Sequence, residues 1–303
     1  MNNTYLRTHQ LDDGQLNQLD LLSADCKRVD GNVIAVYKHL ISKDRIIPCN
    51  LLYYKQDQLI GFFSTFFFHE DTCEIAMMVA PNHRRQGIAS RMLSIMGPLI
   101  RAQDIDKLAF SAPHGLNNHW LPVVGFQYLG SEYQMLRHQT EPLSITNNTL
   151  TVRLATATDI PTLCAIDSVC FPRQKTDMPA RFNSILNDPS YSIFIINQDG
   201  VPVGKAHIFW QNTNVRLTDI AIIPRAQKRG FGSAIIAHCI NYSLAVNRQD
   251  VILEVETSNQ NALNLYSRLG FVISNAHDYW TIPAIWLDRF STPPLVLRNK
   301  TKG

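Results

Sequence analysis

The chain carries an internal duplication. Arg7-Thr8-His9-Gln10-Leu11-Asp12-Asp13 has its counterpart in Arg153-Leu154-Ala155-Thr156-Ala157-Thr158-Asp159, at an offset of 146. Gln56-Asp57 ahead of Gly61 returns as Gln198-Asp199 ahead of Gly204, and those glycines are 143 apart. Pro81, Arg84 and Gly87 return as Pro224, Gln227 and Gly230, again at 143, and Gly125-Phe126 as Gly270-Phe271 at 145. Four turn signals in one order define two copies of one fold. They divide 303 residues into two domains of ordinary size. The expected division is a first domain over 1–140, a polar linker over 141–149 with Pro142 and Asn147-Asn148, a second domain over 150–290 and a tail over 291–303.

Composition narrows the class. A hydrophobic fraction of 45% with 17% charged residues belongs to a globular chain, not a disordered or collagen-like one. The longest apolar stretch, residues 59–68, is about half a membrane span, and the N-terminus lacks a basic-then-apolar leader, so no membrane and no export are expected. The six cysteines form no Cys-x-x-Cys pair and no zinc spacing, which fits reduced thiols in a cytoplasm. Residues 1–149 hold 13 basic against 14 acidic side chains, and residues 150–303 hold 15 against 11. The asymmetry is too mild for a nucleic-acid footprint, but it puts the anion-friendly charge in the second half.

In the second copy the pattern predicts a strand over 150–154 and helix from about Asp159. A hairpin over 192–210 should turn at Asp199-Gly200, followed by a strand over 217–223. Ile236, Ile240 and Leu244 recur at helical spacing, Val251 to Glu256 reads as a strand, and Asn259 to Leu269 reads as a helix stopped by Gly270. Residues 285–290 are expected to close the sheet. The class is α/β (α+β), a mixed sheet flanked by helices.

Between a strand and a helix lies Pro224-Arg225-Ala226-Gln227-Lys228-Arg229-Gly230-Phe231-Gly232-Ser233. Glycines let backbone amides converge on an anion, and the helix N-terminus adds partial positive charge. Neither the dinucleotide fingerprint nor a Walker loop is present. A tight, solvated basic turn would read the same way in isolation. Gln-x-x-Gly-x-Gly at 227–232, followed by Asn259-Gln260-Asn261-Ala262-Leu263-Asn264-Leu265-Tyr266-Ser267-Arg268-Leu269-Gly270-Phe271, resembles the two signature motifs of GNAT-superfamily N-acetyltransferases. The duplication extends that resemblance to 1–140, as two tandem GNAT folds, each a mixed, mostly antiparallel sheet with flanking helices.

The resemblance implies an acetyl-CoA-dependent transferase in which a primary amine attacks the thioester directly. By the same resemblance, Ile222, Ile223, Gln227, Lys228, Arg229, Gly230, Phe231, Gly232, Ser233 and Asn259 hold acetyl-CoA, with the Ile222 amide polarising the carbonyl. Asn259 equally suits a plain helix N-cap. Tyr266 matches the motif's general acid; as an aromatic on an apolar helix face it also suits a core. Glu254 and Tyr266 together resemble the base and acid of ribosomal-protein alanine N-acetyltransferases, although Glu254 could be a solvated strand residue. Asp219 and Glu256 are weaker candidates for the base. Phe171, in the segment 170–177, and Tyr279, beside Asp278 and Trp280, are candidates for the acceptor pocket, or simply buried aromatics.

The first copy looks eroded. Arg84-Arg85-Gln86-Gly87-Ile88-Ala89 keeps the loop, but Gly97-Pro98 should interrupt the following helix. At an offset of 145, Leu121 replaces Tyr266, Ala109 faces Glu254 and His114 faces Asn259. This copy is expected to bind acyl-CoA weakly or not at all and to transfer nothing. His114 and His119 lack a nearby third ligand, so no metal is expected. The acceptor class stays open between a small-molecule amine, as in mycothiol-synthase-like tandem enzymes, and a peptide or protein amine. A non-enzymatic acyl-CoA sensor is the rival from outside enzymology. Nothing in the sequence fixes the oligomeric state.

Overall fold

A computed structural model describes residues 3–68, 70–138, 140–144, 150–171, 177–211 and 214–290. Two compact units result: one of residues 1–131 with 276–303, the other of residues 132–275.

The first unit begins with β1 (Asn3–Thr8), α1 (Asp13–Asp30) and the single turn α2 (Lys38–Ile41). Asp12 and Gln15 form a reciprocal cap at the start of α1, and Gly31, at φ 77°, ends it. β2 (Asn50–Lys55) and β3 (Gln58–Phe66) follow, joined by Gln56-Asp57 with φ of 51° and 61°. Two successive positive φ values make the tight turn that suits a twisted hairpin, which explains this repeat signal. β4 (Thr72–Val79), α3 (Ile88–Arg101) and β5 (Lys107–Pro113) complete the run. The strand order is β1-β2-β3-β4-β5, with only β4 and β5 parallel. Beside β5 lies the part of β12 (Val272–Pro283) that belongs to this unit, paired from His277↔Pro113 to Pro283↔Lys107. The core centres on Phe62, Phe63, Met92, Met96 and Ile100.

The second unit repeats the plan. β7 (Leu150–Leu154), α4 (Ile160–Cys170), α5 (Met178–Leu186), β8 (Tyr191–Gln198), β9 (Val201–Trp210), β10 (Val215–Ile222), α6 (Phe231–Ala245), β11 (Asp250–Glu256) and α7 (Gln260–Arg268) run in sequence. Asp199-Gly200, at φ 49° and 79°, makes the matching hairpin turn. The order β7-β8-β9-β10-β11 is completed by the part of β6 (Gln127–His138) in this unit, paired from Glu132↔Glu256 to His138↔Asp250. One core joins Phe194, Ile208, Ile236, Ile240 and Leu253, and a smaller one joins Leu163, Phe182, Ile193 and Ile195.

Each unit is therefore completed by a strand from the other repeat, and the compact units divide the chain differently from the repeats. The strand that finishes the sequence-defined second copy is β12; residues 285–290, expected to be that strand, lie in a 3-10 helix (Ala284–Phe290). Leu287 there lies in the first unit's core, and Ala284, Trp286 and Phe290 pack against it, which explains the apolar pattern. Gly97-Pro98 does not break α3 either. Pro98 lies near the C-terminal end of the helix, where its missing N–H costs one bond, and Met92, Met96 and Ile100 bury the helix on both sides of it.

Candidate active site

The two loops match bond by bond. Lys228 and Gly230 have φ of 60° and 85°; their counterparts Arg85 and Gly87 have 61° and 78°. Gln227 Nε2 donates to the Ile222 carbonyl at 2.9 Å, and Arg84 Nε donates to the Val79 carbonyl at 3.0 Å. In the strand that enters each loop, the Ile223 amide donates to Val203 O and the Ala80 amide to Ile60 O. Gly230 and Gly87 are both N-caps without a capping side chain, so the first amides of α6 and α3 stay available to an anion. Gln227, Lys228, Arg229 and Gly230 are exposed. Phe231 is buried beneath the Arg229 guanidinium, and Ser233 lies in the first turn of α6. The second loop thus presents backbone amides at a helix N-terminus beside Lys228 and Arg229, a geometry suited to an anion. The first loop differs in charge pairing: Arg84 is clamped by both Asp30 oxygens at 2.7 Å. A cavity of about 800 Å³ opens beside it, lined by Asp30, Met77, Val79, Gly87 and Trp120 among others.

The copies part company at the strand before the loop. β3 and β4 pair without a break from Phe66↔Glu74 to Gly61↔Val79. β9 and β10 pair from Trp210↔Val215 to His207↔Thr218, then resume at Lys205↔Ala221. Two residues, Asp219 and Ile220, face one across this bulge, and Asp219 has φ 49°. Opposite the six matched residues Gly61–Phe66 and Gly204–Phe209, β4 thus places six residues and β10 seven. On its other edge it pairs with β11 only at Val215↔Val251 and Arg216↔Ile252, whereas β4 pairs with β5 at four positions. Past the bulge, Gly204 sits so close to the neighbouring strand that a Cβ would run into the Ala221 oxygen.

Beneath the bulge is a cluster of charges. Asp167 on α4, Arg181 on α5, and Lys205 and His207 on β9 surround Asp219. Lys205 Nζ is 2.8 Å from Asp167 Oδ1, as an ion pair, and 3.2 Å from His207 Nε2. Arg181 bridges Asp167 at 3.3 Å and Asp219 at 2.9 Å, and His207 Nδ1 lies 3.4 Å from Asp219. Asp167, Lys205 and His207 are fully buried. Burial, reinforced by the Lys205 charge, pushes His207 down to about 3, so the ring is neutral at pH 7. Burial also lowers Lys205, against the pull of Asp219 and Asp167. Burial opposes the Asp219 charge, yet His207, Lys205 and Arg181 together hold its carboxyl below the usual range. Of this cluster the sequence pointed only to Asp219. The available signal was the pair Lys205 and His207 at i, i+2, two polar residues on one face of an otherwise apolar strand.

α7 presents Tyr266, 8% exposed, and burial raises its phenol to about 12. The Phe271 amide donates to the Tyr266 carbonyl at 3.0 Å, and the Phe126 amide donates to the Leu121 carbonyl at 3.0 Å. Leu121 thus occupies the backbone position of Tyr266, as the repeat implied. Residues 114–121 form turns where the second copy has a helix. Asn259 serves as the N-cap of α7, accepting from Ala262 N at 3.1 Å.

Glu254 lies on β11, where Arg216 Nη1 donates to it at 2.8 Å. The strand register corrects one repeat assignment. Leu108 pairs with Cys73 as Val251 pairs with Val215, so Ser111, not Ala109, stands where Glu254 does. Glu256 is exposed at the strand end, accepting weakly from Ser258. Phe171 is half-buried with Lys205 Nζ 5.7 Å above its ring, while residues 172–176 of the expected acceptor loop lie outside the described residues. Tyr279, Asp278 and Trp280 fall in the first unit. There the Tyr279 hydroxyl meets the Tyr37 hydroxyl at 3.4 Å and His277 Nε2 at 3.2 Å, and Asp278 accepts from Gly115 N and contacts His114 Nδ1. The strand exchange took them out of the second unit, which no local pattern announces. Among the described residues no cluster of His, Cys, Asp or Glu could hold a metal, and no helix is long and apolar enough to cross a membrane.

The acetyltransferase (GNAT) family model matches residues 21–110 and 160–271, and the chain belongs to that family. It is a GNAT-type, acetyl-CoA-dependent acetyltransferase with two tandem GNAT-like regions. An N-alpha-acetyltransferase of Sulfurisphaera tokodaii is 28% identical over 134 residues, which are 40% of this chain and 78% of that protein. A GCN5-related N-acetyltransferase from Sphaerobacter thermophilus superimposes with a TM-score of 0.74 at 13% identity, over 92% of this chain and 96% of that one. A tandem GNAT protein from the clavulanic acid biosynthesis pathway gives 0.66 at 12% identity, over 93% of this chain and 99% of that one. At such identities the solved structures speak for the fold alone.

Proposed function

We propose that transfer takes place in the second copy, within the sequence-defined region 150–290, and that the first copy is non-catalytic. The observation that carries this reading is the substitution at one backbone position: a phenol at Tyr266, a hydrocarbon at Leu121, each fixed by the same amide bond. Acetyl-CoA supplies the thioester. Gln227 to Ser233 hold its pyrophosphate, and the strand end at Ile222 and Ile223 offers backbone amides to its arm and carbonyl. Tyr266 holds the proton destined for the leaving sulfur; burial keeps the phenol neutral until that moment. Glu254, held in place by Arg216, takes the proton from the amine through water. A carboxylate is a modest base. That suits an α-amine, of ordinary pKa about 8, better than a lysine at about 10.4. The N-alpha-acetyltransferase relative supports the same acceptor class, an α-amine; a small-molecule amine is the second reading. The first copy's loop geometry and open cleft favour retained acyl-CoA binding there over the weak binding that its sequence suggested.

The test is an amine panel of peptides with free N-termini, N-blocked lysine peptides and small amines, with acetyl-CoA. α-Amines should be acetylated fastest, and Glu254→Gln should slow lysine more than α-amines. Acetyl-CoA binding without transfer to any member would make the protein a sensor and end the enzymatic assignment of this site.

A further inference from the structure

Lys205 and Asp219 under β10 have no charged counterpart among the described residues of the first copy, where instead the Arg45 guanidinium donates to Ser64 at 3.1 Å. Hairpin register aligns Lys205 with Phe62 and His207 with Ser64, and leaves Asp219 as the extra residue. The copy with Phe62 and Ser64 has an unbroken ladder, and the copy with the charges has the bulge. We infer that Asp167, Arg181, Lys205, His207 and Asp219 form a positioning device that holds β10 open, and that this cluster decides which copy can polarise a thioester. The proposal rests on the reading that the second copy is the active one.

A non-glycine residue at φ 49° in a strand is strained and needs its surroundings to hold it. Asp219 is gripped by Arg181 at 2.9 Å and faced by His207 at 3.4 Å and Lys205 at 3.9 Å. Turning its carboxylate back into a regular ladder would leave two cations, Lys205 and Arg181, with one carboxylate, Asp167. Returning to regular pairing therefore carries an electrostatic penalty, and the bulge is the conformation in which the cluster balances: two carboxylates, two cations and a neutral ring. The bulge in turn takes Asp219 and Ile220 out of the regular pairing, next to the strand end that meets the acetyl group. None of the five need touch a ligand to have this effect.

The decisive variant borrows from the protein itself. Lys205→Phe with His207→Ser and deletion of Asp219 copies the first copy's residues and register, and leaves Asp167 and Arg181 as a balanced pair. The full-length variant should bind CoA as the wild type does and lose about 100-fold in kcat, the scale of a misplacement of about 1 Å. The carbonyl stretch of bound 13C-labelled acetyl-CoA, recorded with Gly87→Asp in the background to silence the first loop, should move back toward its free frequency. Should the graft fail to fold, Asp219→Asn and Asp219→Val give the answer. Asparagine tolerates the left-handed conformation but offers Arg181 and Lys205 no charge, so it should lose part of the shifted band and of kcat. Valine, which has neither property, should lose more of each. A wild-type band and kcat in the graft or in Asp219→Val overturns the proposal. The underlying reading fails separately, if Gly230→Asp leaves transfer intact.

Discussion

The two loops and the two strands that feed them give opposite lessons. The loops differ in composition, Gln-Lys-Arg-Gly against Arg-Arg-Gln-Gly, yet share their dihedrals and their backbone bonds. The strands β4 and β10 look alike as short apolar segments, yet one is regular and the other carries an extra residue at positive φ. A phosphate-binding turn tolerates side-chain change because backbone amides do the binding. A strand edge that must leave its ladder depends on particular buried side chains. Under the proposed function, the first copy lacks the chemistry groups and the bulge but keeps the backbone geometry of the loop.

The largest effect expected is at the glycines that start α6 and α3. Gly230→Asp adds a Cβ at φ 85° and a negative charge where an anion binds, and should abolish transfer. Gly87→Asp should leave transfer unchanged and remove a second acetyl-CoA from the calorimetric stoichiometry. Equal losses from both would dissolve the distinction between the copies. Next, Tyr266→Phe should lower kcat by about 100-fold, the scale of general acid catalysis, with acetyl-CoA affinity retained. A drop in affinity instead would assign Tyr266 to packing. Third, Gly204→Ala forces a Cβ into the Ala221 carbonyl, whereas Gly61→Ala meets side chains at 3.2 Å. The first should cost about 1–3 kcal/mol in urea unfolding and the second less. The reverse order would mean that the bulge is not rigid. The smallest effect is in alkali. Tyr266 ionises near 12 when folded and near 10 when unfolded, so the unfolded chain holds fewer protons between those values and stability falls as pH rises through them. Tyr266→Phe should flatten that part of the curve relative to wild type.

Much of this was legible in one dimension. The repeat, the hairpin turns at Gln56-Asp57 and Asp199-Gly200, the loop at 227–233 and the position of Tyr266 follow from glycines, positive-φ residues and helical spacing, which act over a few residues. The helix through Pro98 and the 3-10 turn at 284–290 run against local preference because burial against a distant core outweighed it. The alignment of Ser111 with Glu254 needed strand register, since turns of different length between the copies shift the offset by two residues.

By itself the sequence determined that this chain is a duplicated acetyltransferase fold with a glycine-bearing loop in each copy and a single copy of the motif tyrosine. Only the tertiary structure decided that each unit is completed by the other repeat's strand, that Tyr279 joins the first unit, and that Lys205, His207, Asp167 and Arg181 converge on Asp219. The reason is range. Dihedral and capping preferences are written in neighbouring residues, while strand partners and buried ion pairs are set by which distant segments can bury each other's polar groups without loss.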